Sequence, residues 1–205
     1  MSFSANAIIK TSDGKEIKLN LEMSMSREFA YRNDISIRAG DAKKVDPLVI
    51  NFNSPLSALK DTSFKFDLDV DGNLDNVAFV NECSGLLTLD LNNDGIINDG
   101  SELFGTKSGD GFKDLSAYDS DRNNWIDEND PIYEKLQIWT IDSDGNDKLF
   151  ALGYKGIGAI YLGNVDREFG LKNSQNKLTG EISKTGIFLR ENGSAGTIQH
   201  VDFIV

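Results

Sequence analysis

The chain has 205 residues, 39% apolar side chains, one cysteine, one histidine and a formal charge of -12 at pH 7. That length builds one domain with a core, or two small ones. With no basic cluster, the charge argues against nucleic acid and anionic membrane surfaces and suits a protein that holds cations. Cys83 alone forms no intramolecular disulfide. Cys83 and His200 together make no His/Cys zinc site, and histidine-based catalysis is excluded unless His200 is the base.

Residues 1–45 read as a small β unit. Ile17, Leu19 and Leu21 alternate with Lys18 and Asn20, the period of a half-buried strand. Asp13-Gly14 marks a hairpin turn back to Ala7–Lys10. Met23–Tyr31 has the look of a short helix, Ala39–Lys44 of a linker, and Leu48–Phe52 of a strand. From Phe64 to Leu162, acidic loops alternate with short apolar segments. Phe112–Tyr118 and Pro131–Leu136 carry helical spacing, whereas Gln137–Thr140 and Ile157–Leu162 read as strands. Thr185–Arg190 and Thr197–Val205 are strand-like and flank the turn signal Asn192-Gly193.

The expected fold is therefore α+β. Calcium loops of EF-hand type with short helices form the centre, flanked by β-hairpins and strands at both ends. The expected division is a β-rich segment at 1–45, a calcium module at 46–165 and a β segment at 166–205 packed on it. No run of 18 apolar residues exists, so no membrane span is expected. MSFSANAIIK lacks the features of a Sec signal, so the expectation is a cytoplasmic protein or one exported by a type I-like route.

The chemistry lies in the acidic loops. A hard divalent cation takes six to eight oxygens, and D-x-[DN]-x-[DN]-G-x5-E delivers them from one turn. Asp67, Asp69 and Asp71 fill positions one, three and five, with Gly72 at six and Asp75 at nine. Asp90, Asn92 and Asp94 repeat this with Gly95 and Asn98, and Glu102 follows one place late. Asp119, Asp121 and Asn123 do so again, with Asn124 at the glycine position, Asp127 at nine and Asp130 at twelve. Asn73, Ile96 and Trp125 hold position seven, where a main-chain carbonyl binds. Asp142, Asp144 and Asn146 begin a weaker fourth loop, in which Asp147 stands where glycine belongs. Leu74, Ile97 and Ile126 at position eight suggest short β contacts between partner loops. Several Ca2+ ions are the implied cofactor, with Mg2+ an alternative at the Asp119–Asp130 loop because Asp130 is short. The residues name no protein partner.

FDLDVDGNLDNVAF, GLLTLDLNNDGIINDGSELFG, GFKDLSAYDSDRNNWIDENDPIYEKLQIW and LGYKGIGAIYL resemble a calcium-binding module of bacterial RTX-type proteins. The resemblance runs from about Asp46 to Leu162, and in it Glu102 at position thirteen is regular. It implies a relation to self-processing units that calcium folds and that cut an Asp-Pro bond just ahead of themselves. VDPLVINFN puts Asp46-Pro47 at that place. The Asp46 carboxylate would attack its own main-chain carbonyl, and Pro47, a tertiary amide, would leave. The sequence departs from the family after this bond, where Asn51-Phe52-Asn53-Ser54-Pro55 replaces an acidic loop. Three roles stay open: a module whose folding or interactions depend on calcium, a calcium-triggered module that cleaves Asp46-Pro47, and a plain structural or adhesive module with constitutive ions. The bond also reads as a plain linker ending at a strand.

Overall fold

Runs such as Leu48-Val49-Ile50 and Leu86-Leu87 put apolar side chains on both sides of an extended backbone, which asks for a sheet covered on two faces. A computed structural model shows this sheet, and it describes residues 2–10, 16–24, 44–54, 58–142, 145–173, 176 and 178–204. In chain order the elements are β1 (Ser2–Lys10), β2 (Glu16–Ser24), β3 (Lys44–Val45), β4 (Leu48–Asn51), β5 (Leu59–Phe66), β6 (Asp75–Val80) and β7 (Ser84–Leu89). Helix α1 (Gly111–Ser116) and β8 (Trp125–Ile126) follow. Then come β9 (Leu136–Ile141), β10 (Asp147–Ala151), β11 (Ile157–Lys172), β12 (Leu178–Arg190) and β13 (Ala195–Ile204).

The nine-stranded sheet runs β10-β9-β7-β4-β13-β12-β11-β8, with β3 also paired to β13. Its pairs are antiparallel. β5 and β6 form a separate hairpin, and β1 and β2 form another. Leu48, Ile50, Leu87 and Ile138 join one core layer with Phe112 and Leu115 of α1. Their alternates Val49, Leu86 and Trp139 join a second layer with Phe66, Phe79 and Val77 of the β5–β6 hairpin. Phe64, Phe66 and Phe79 surround the Trp139 indole at 5.7, 5.0 and 5.1 Å between centroids. Across four strands, Ser84, Asn51, Thr197, Gln199 and Thr185 form a buried hydrogen-bonded ladder. Sliding β4 along its neighbours would leave these polar groups unsatisfied, so the ladder pins the register.

This architecture corrects the α+β expectation. Among the described residues the only α-helix is α1, and no loop is flanked by a helix pair of EF-hand type. The first acidic loop joins β5 to β6, and the second follows β7 and ends in a 3-10 turn at Gly100–Glu102. The Phe112/Leu115 spacing does mark a helix. The Ile132/Leu136 spacing yields only a 3-10 turn at Tyr133–Lys135, because Leu136 already begins β9. The central apolar runs feed two core layers at once, which a strand achieves in six residues and a one-sided helix does not. The strands expected near Ala7–Lys10 and Ile17–Leu21 are present as the paired β1 and β2. Met23 and Ser24 belong to β2, whereas the rest of the expected helix, the Asp13-Gly14 turn and most of the expected linker lie outside the described residues.

Because Trp139 anchors the β5–β6 hairpin to the sheet, Trp139→Ala should cost about 3–5 kcal/mol of stability. Urea denaturation followed by far-ultraviolet circular dichroism measures this, and a loss below about 1 kcal/mol would contradict the packing described.

Candidate functional site

Three acidic loops adopt one backbone pattern. The fourth position is left-handed in each, at Val70, Asn93 and Arg122, with φ of 60°, 58° and 60°. The sixth position is left-handed too, at Gly72, Gly95 and Asn124, with φ of 88°, 80° and 66°. Asn124 thus does the work of the glycine it replaces, as asparagine tolerates this region. In each loop the first aspartate accepts main-chain N–H groups from across the turn. Asp67 accepts from Asp71 and Gly72, Asp90 from Asn93 and Gly95, and Asp119 from Asn123 and Asn124.

The loops differ in how they close. One carboxylate oxygen each from Asp67, Asp69 and Asp71 gathers within 4.8 Å, and Asp119, Asp121 and Asp130 do the same. Such clusters can hold metal ions. Asp75 borders the first cluster, and its Oδ2 is buried without a hydrogen-bond partner. Burial, then the nearby charges of Asp69 and Asp71, push its carboxyl above the usual range. A buried acceptor facing like charges is costly, and a cation removes both costs. In the second loop Glu102 is buried and accepts from the main-chain N–H groups of Leu91 and Asn98, at 2.9 and 2.8 Å. It thereby ties both ends of that loop. In the third loop Asp130 is 1% exposed. Burial would raise its pKa, but bonds from the Ser120 N–H and hydroxyl and from the Asp127 N–H hold it below the usual range.

Asn73, Ile96 and Trp125 lie on these loops at the places expected, and Asp127 accepts from the Asn123 amide at 3.5 Å. Asn92 donates to Asp94 and Asn98 at 2.9 Å each. The position-eight residues do not pair loop to loop. Ile126 pairs with Ile160 of β11, Ile97 is buried in the core, and Leu74 is 64% exposed. The fourth loop differs in setting. Asp142 and Asn146 form the turn of the β9–β10 hairpin, and the Asp142 carboxylate pairs with Lys148 at 2.9 Å. Asp144 lies outside the described residues.

Asp46-Pro47 is not a linker. It sits between β3 and β4, which both pair with β13, so the bond is set into the sheet. Pro47 offers no N–H, and its carbonyl accepts from Val201 at 3.1 Å. Leu48 N–H donates to the Phe104 carbonyl at 3.1 Å, fastening the Phe104–Gly111 segment over the bond. Gly105 has φ +105°, and a side chain there would run into the Asp46 carbonyl oxygen. The same spot is bounded by Gly111 N and His200 Nε2, each 3.1 Å from where a Cβ would stand. Gly111 is equally close-packed, against Leu48 and the Phe104 carbonyl.

His200, in the strand-like Thr197–Val205 stretch, stands at the centre of this group. Nitrogen of His200 and carboxylate oxygens of Asp46 and Asp202 lie within 4.8 Å of one another. Gly111 N–H donates to Nε2 at 3.3 Å, which assigns the ring proton to Nδ1. Nδ1 then donates to Ser183 Oγ at 3.0 Å, and that hydroxyl donates to Asp202 at 3.0 Å. Both ring nitrogens are engaged, so these groups form one hydrogen-bonded network. The register between β12 and β13 shifts at Ser183, and such a bulge re-aims a side chain. Burial holds His200 below the ordinary imidazole pKa, opposed by Asp202, Asp110 and Asp114 and helped by Lys184. Lys184 bonds Asp110 at 2.7 Å beside it. The distances joining β13, β12 and the 104–111 segment are long in sequence, so no local signal could reveal them.

The class defined is an antiparallel β protein with metal-competent acidic loops beside a buried aspartyl-prolyl bond. Residues 53–204 match the SPM domain, and the chain belongs to that family. It is also 30% identical over 177 residues to the iron-regulated protein FrpA of Neisseria meningitidis serogroup C, covering 74% of this chain. The chain spans 16% of the length of that relative. No helix of the described residues is long and apolar enough to cross a membrane.

Gly105→Ala should cost about 1–3 kcal/mol beyond the cost of Gly193→Ala. Both glycines have positive φ, but Gly193 has open space around it. Equal losses in urea melts would contradict the close seat of Gly105 on Asp46.

Proposed function

We propose that this chain is a calcium-binding module whose three acidic loops order around Ca2+. The observation that carries this reading is Asp75, whose buried Oδ2 meets no donor while Asp67, Asp69 and Asp71 crowd beside it. Bound Ca2+ supplies the positive charge that these oxygens otherwise lack. The resemblance to RTX-type calcium modules supports the same reading, as does the recurrence of one backbone shape in three loops. Saturation at about 100 times Kd contributes about 2.7 kcal/mol per site. Protein purified in chelator should therefore melt well below the calcium-loaded protein, and native mass spectra should show Asp119→Asn holding one ion fewer. Equal melting curves with no added calcium mass would contradict the reading.

A second reading is favoured by the setting of Asp46-Pro47. We infer that ordering of the loops readies this bond for self-cleavage. The second loop ends at Glu102, and Phe104 and Gly105 immediately beyond it touch Leu48 and Asp46. The third loop begins at Asp119, just after α1, which carries Gly111 over the same bond. The covering segment is thus held at both ends by cation loops. Intramolecular attack by a held carboxylate has a large proximity advantage. Calcium added to the full chain should yield two fragments, one ending at Asp46 and one beginning at Pro47. Asp46→Asn should stay intact while binding calcium normally. Cleavage of that variant at the same bond would contradict attack by the Asp46 carboxylate.

A further inference from the structure

His200 is the only histidine of the chain, is 2% exposed, and projects from β13 into the recess that holds Asp46-Pro47. Its ring is oriented by a hydroxyl, Ser183, which is itself oriented by a carboxylate, Asp202. Its Nε2 lone pair faces the place where the Asp46 carbonyl oxygen and Gly111 N–H meet. A buried strand histidine with no other task needs no such two-step support. We propose that His200 carries the proton from the Asp46 carboxyl to the Pro47 nitrogen as the Asp46–Pro47 bond breaks, a role that rests on the self-cleavage reading.

The step balances without any further reactant. The Asp46 carboxyl gives its proton to His200 Nε2. The freed carboxylate oxygen forms a bond to the main-chain carbonyl carbon of Asp46. The bond from that carbon to the Pro47 nitrogen breaks, its electron pair stays on nitrogen, and His200 Nε2 returns the proton there. The products are a cyclic anhydride at residue 46, a chain that begins with the Pro47 secondary amine, and a neutral His200. Water then opens the anhydride. One ring nitrogen of His200 lies within 4.8 Å of an Asp46 carboxylate oxygen, so a small ring adjustment or one water brings Nε2 within reach for proton transfer. Gly111 N and the Asp46 carbonyl oxygen both border the space beside Gly105, so this N–H, once released from Nε2 by protonation of the ring, would be placed to turn toward the oxygen that becomes negative in the tetrahedral state.

The groups facing His200 are Asp46 between β3 and β4, Lys184 of β12, Asp202 of β13, and Asp110 and Asp114 from the covering segment and α1. Asp202 raises the proton affinity of the ring, so Asp202→Asn should move the histidine limb of the pH–rate profile to lower pH.

The test uses the full chain, purified in chelator and mixed with calcium between pH 5 and 9, with cleavage followed by intact mass. His200→Gln should cleave about 100-fold or more slowly and lose that limb, while its calcium-induced rise in melting temperature persists. Ser183→Ala should cleave about tenfold slower with altered pH dependence. If His200→Gln does not fold, Ser183→Ala decides. A cleaving wild type, with a folded variant that matches it in rate and pH profile, overturns the role of His200 alone. A wild type that binds calcium and never cleaves overturns the cleavage reading and this role together.

Discussion

The Phe104–Gly111 segment must lie flat on Asp46-Pro47, and the arrangement of the site follows from that contact. The segment has no strand partner to hold it there. One main-chain bond, from Leu48 to the Phe104 carbonyl, fixes its start, and two glycines let its backbone approach where any side chain would collide. Its far end is tied to the sheet as well, by Gly111 N–H to His200 of β13 and by Asp110 to Lys184 of β12. Glu102 precedes it and gathers the second acidic loop; α1 follows and leads into the third. The segment is thus seated by bonds to β4, β12 and β13 and is continuous at both ends with acidic loops that are crowded with like charge.

On the calcium reading proposed above, that crowding is what a bound cation would relieve. Main-chain N–H groups already satisfy one side of the leading aspartates, so the loop backbones hold their shape locally. What they do not supply is countercharge, and the raised carboxyl of Asp75 shows where the deficit is greatest among the groups described. The centre of the sheet carries no comparable crowding of charge. Its Asn51 ladder is hydrogen-bonded within the protein, between two apolar layers. Cation binding, as proposed, would therefore act on the acidic loops that flank the segment over Asp46 rather than on the centre of the sheet.

The loops were legible because their chemistry is local. Asp67, Asp90 and Asp119 bond amides at most five residues away, so spacing alone reveals the turn, down to Asn124 replacing glycine. The late Glu102 was also readable, since it closes its loop over eleven residues. The fold class was not. Helical spacing at Phe112 and Leu115 is real, but Leu86-Leu87 and Ile138-Trp139 serve two layers, which only the sheet order explains. Position-eight residues misled for a related reason: Ile126 found a partner in β11, far along the chain, instead of in a neighbouring loop. The pairing of Asp142 with Lys148 across the β9–β10 hairpin was likewise not readable from loop spacing. His200 carried no signal, because its partners are Ser183 and Gly111 across three elements.

The central claim is that cations in the acidic loops press the covering segment onto Asp46-Pro47. Hydrogen exchange at the amides of Leu48 and Val201 tests it most directly, since one donates to Phe104 and the other to Pro47. The measurement is made on the Asp46→Asn chain, which stays whole, in chelator and in calcium. Protection of both amides should rise at least about tenfold in calcium, as expected for a locally opening segment that becomes fixed. Equal protection in the two conditions would contradict the coupling and leave the loops and the aspartyl-prolyl bond as independent features.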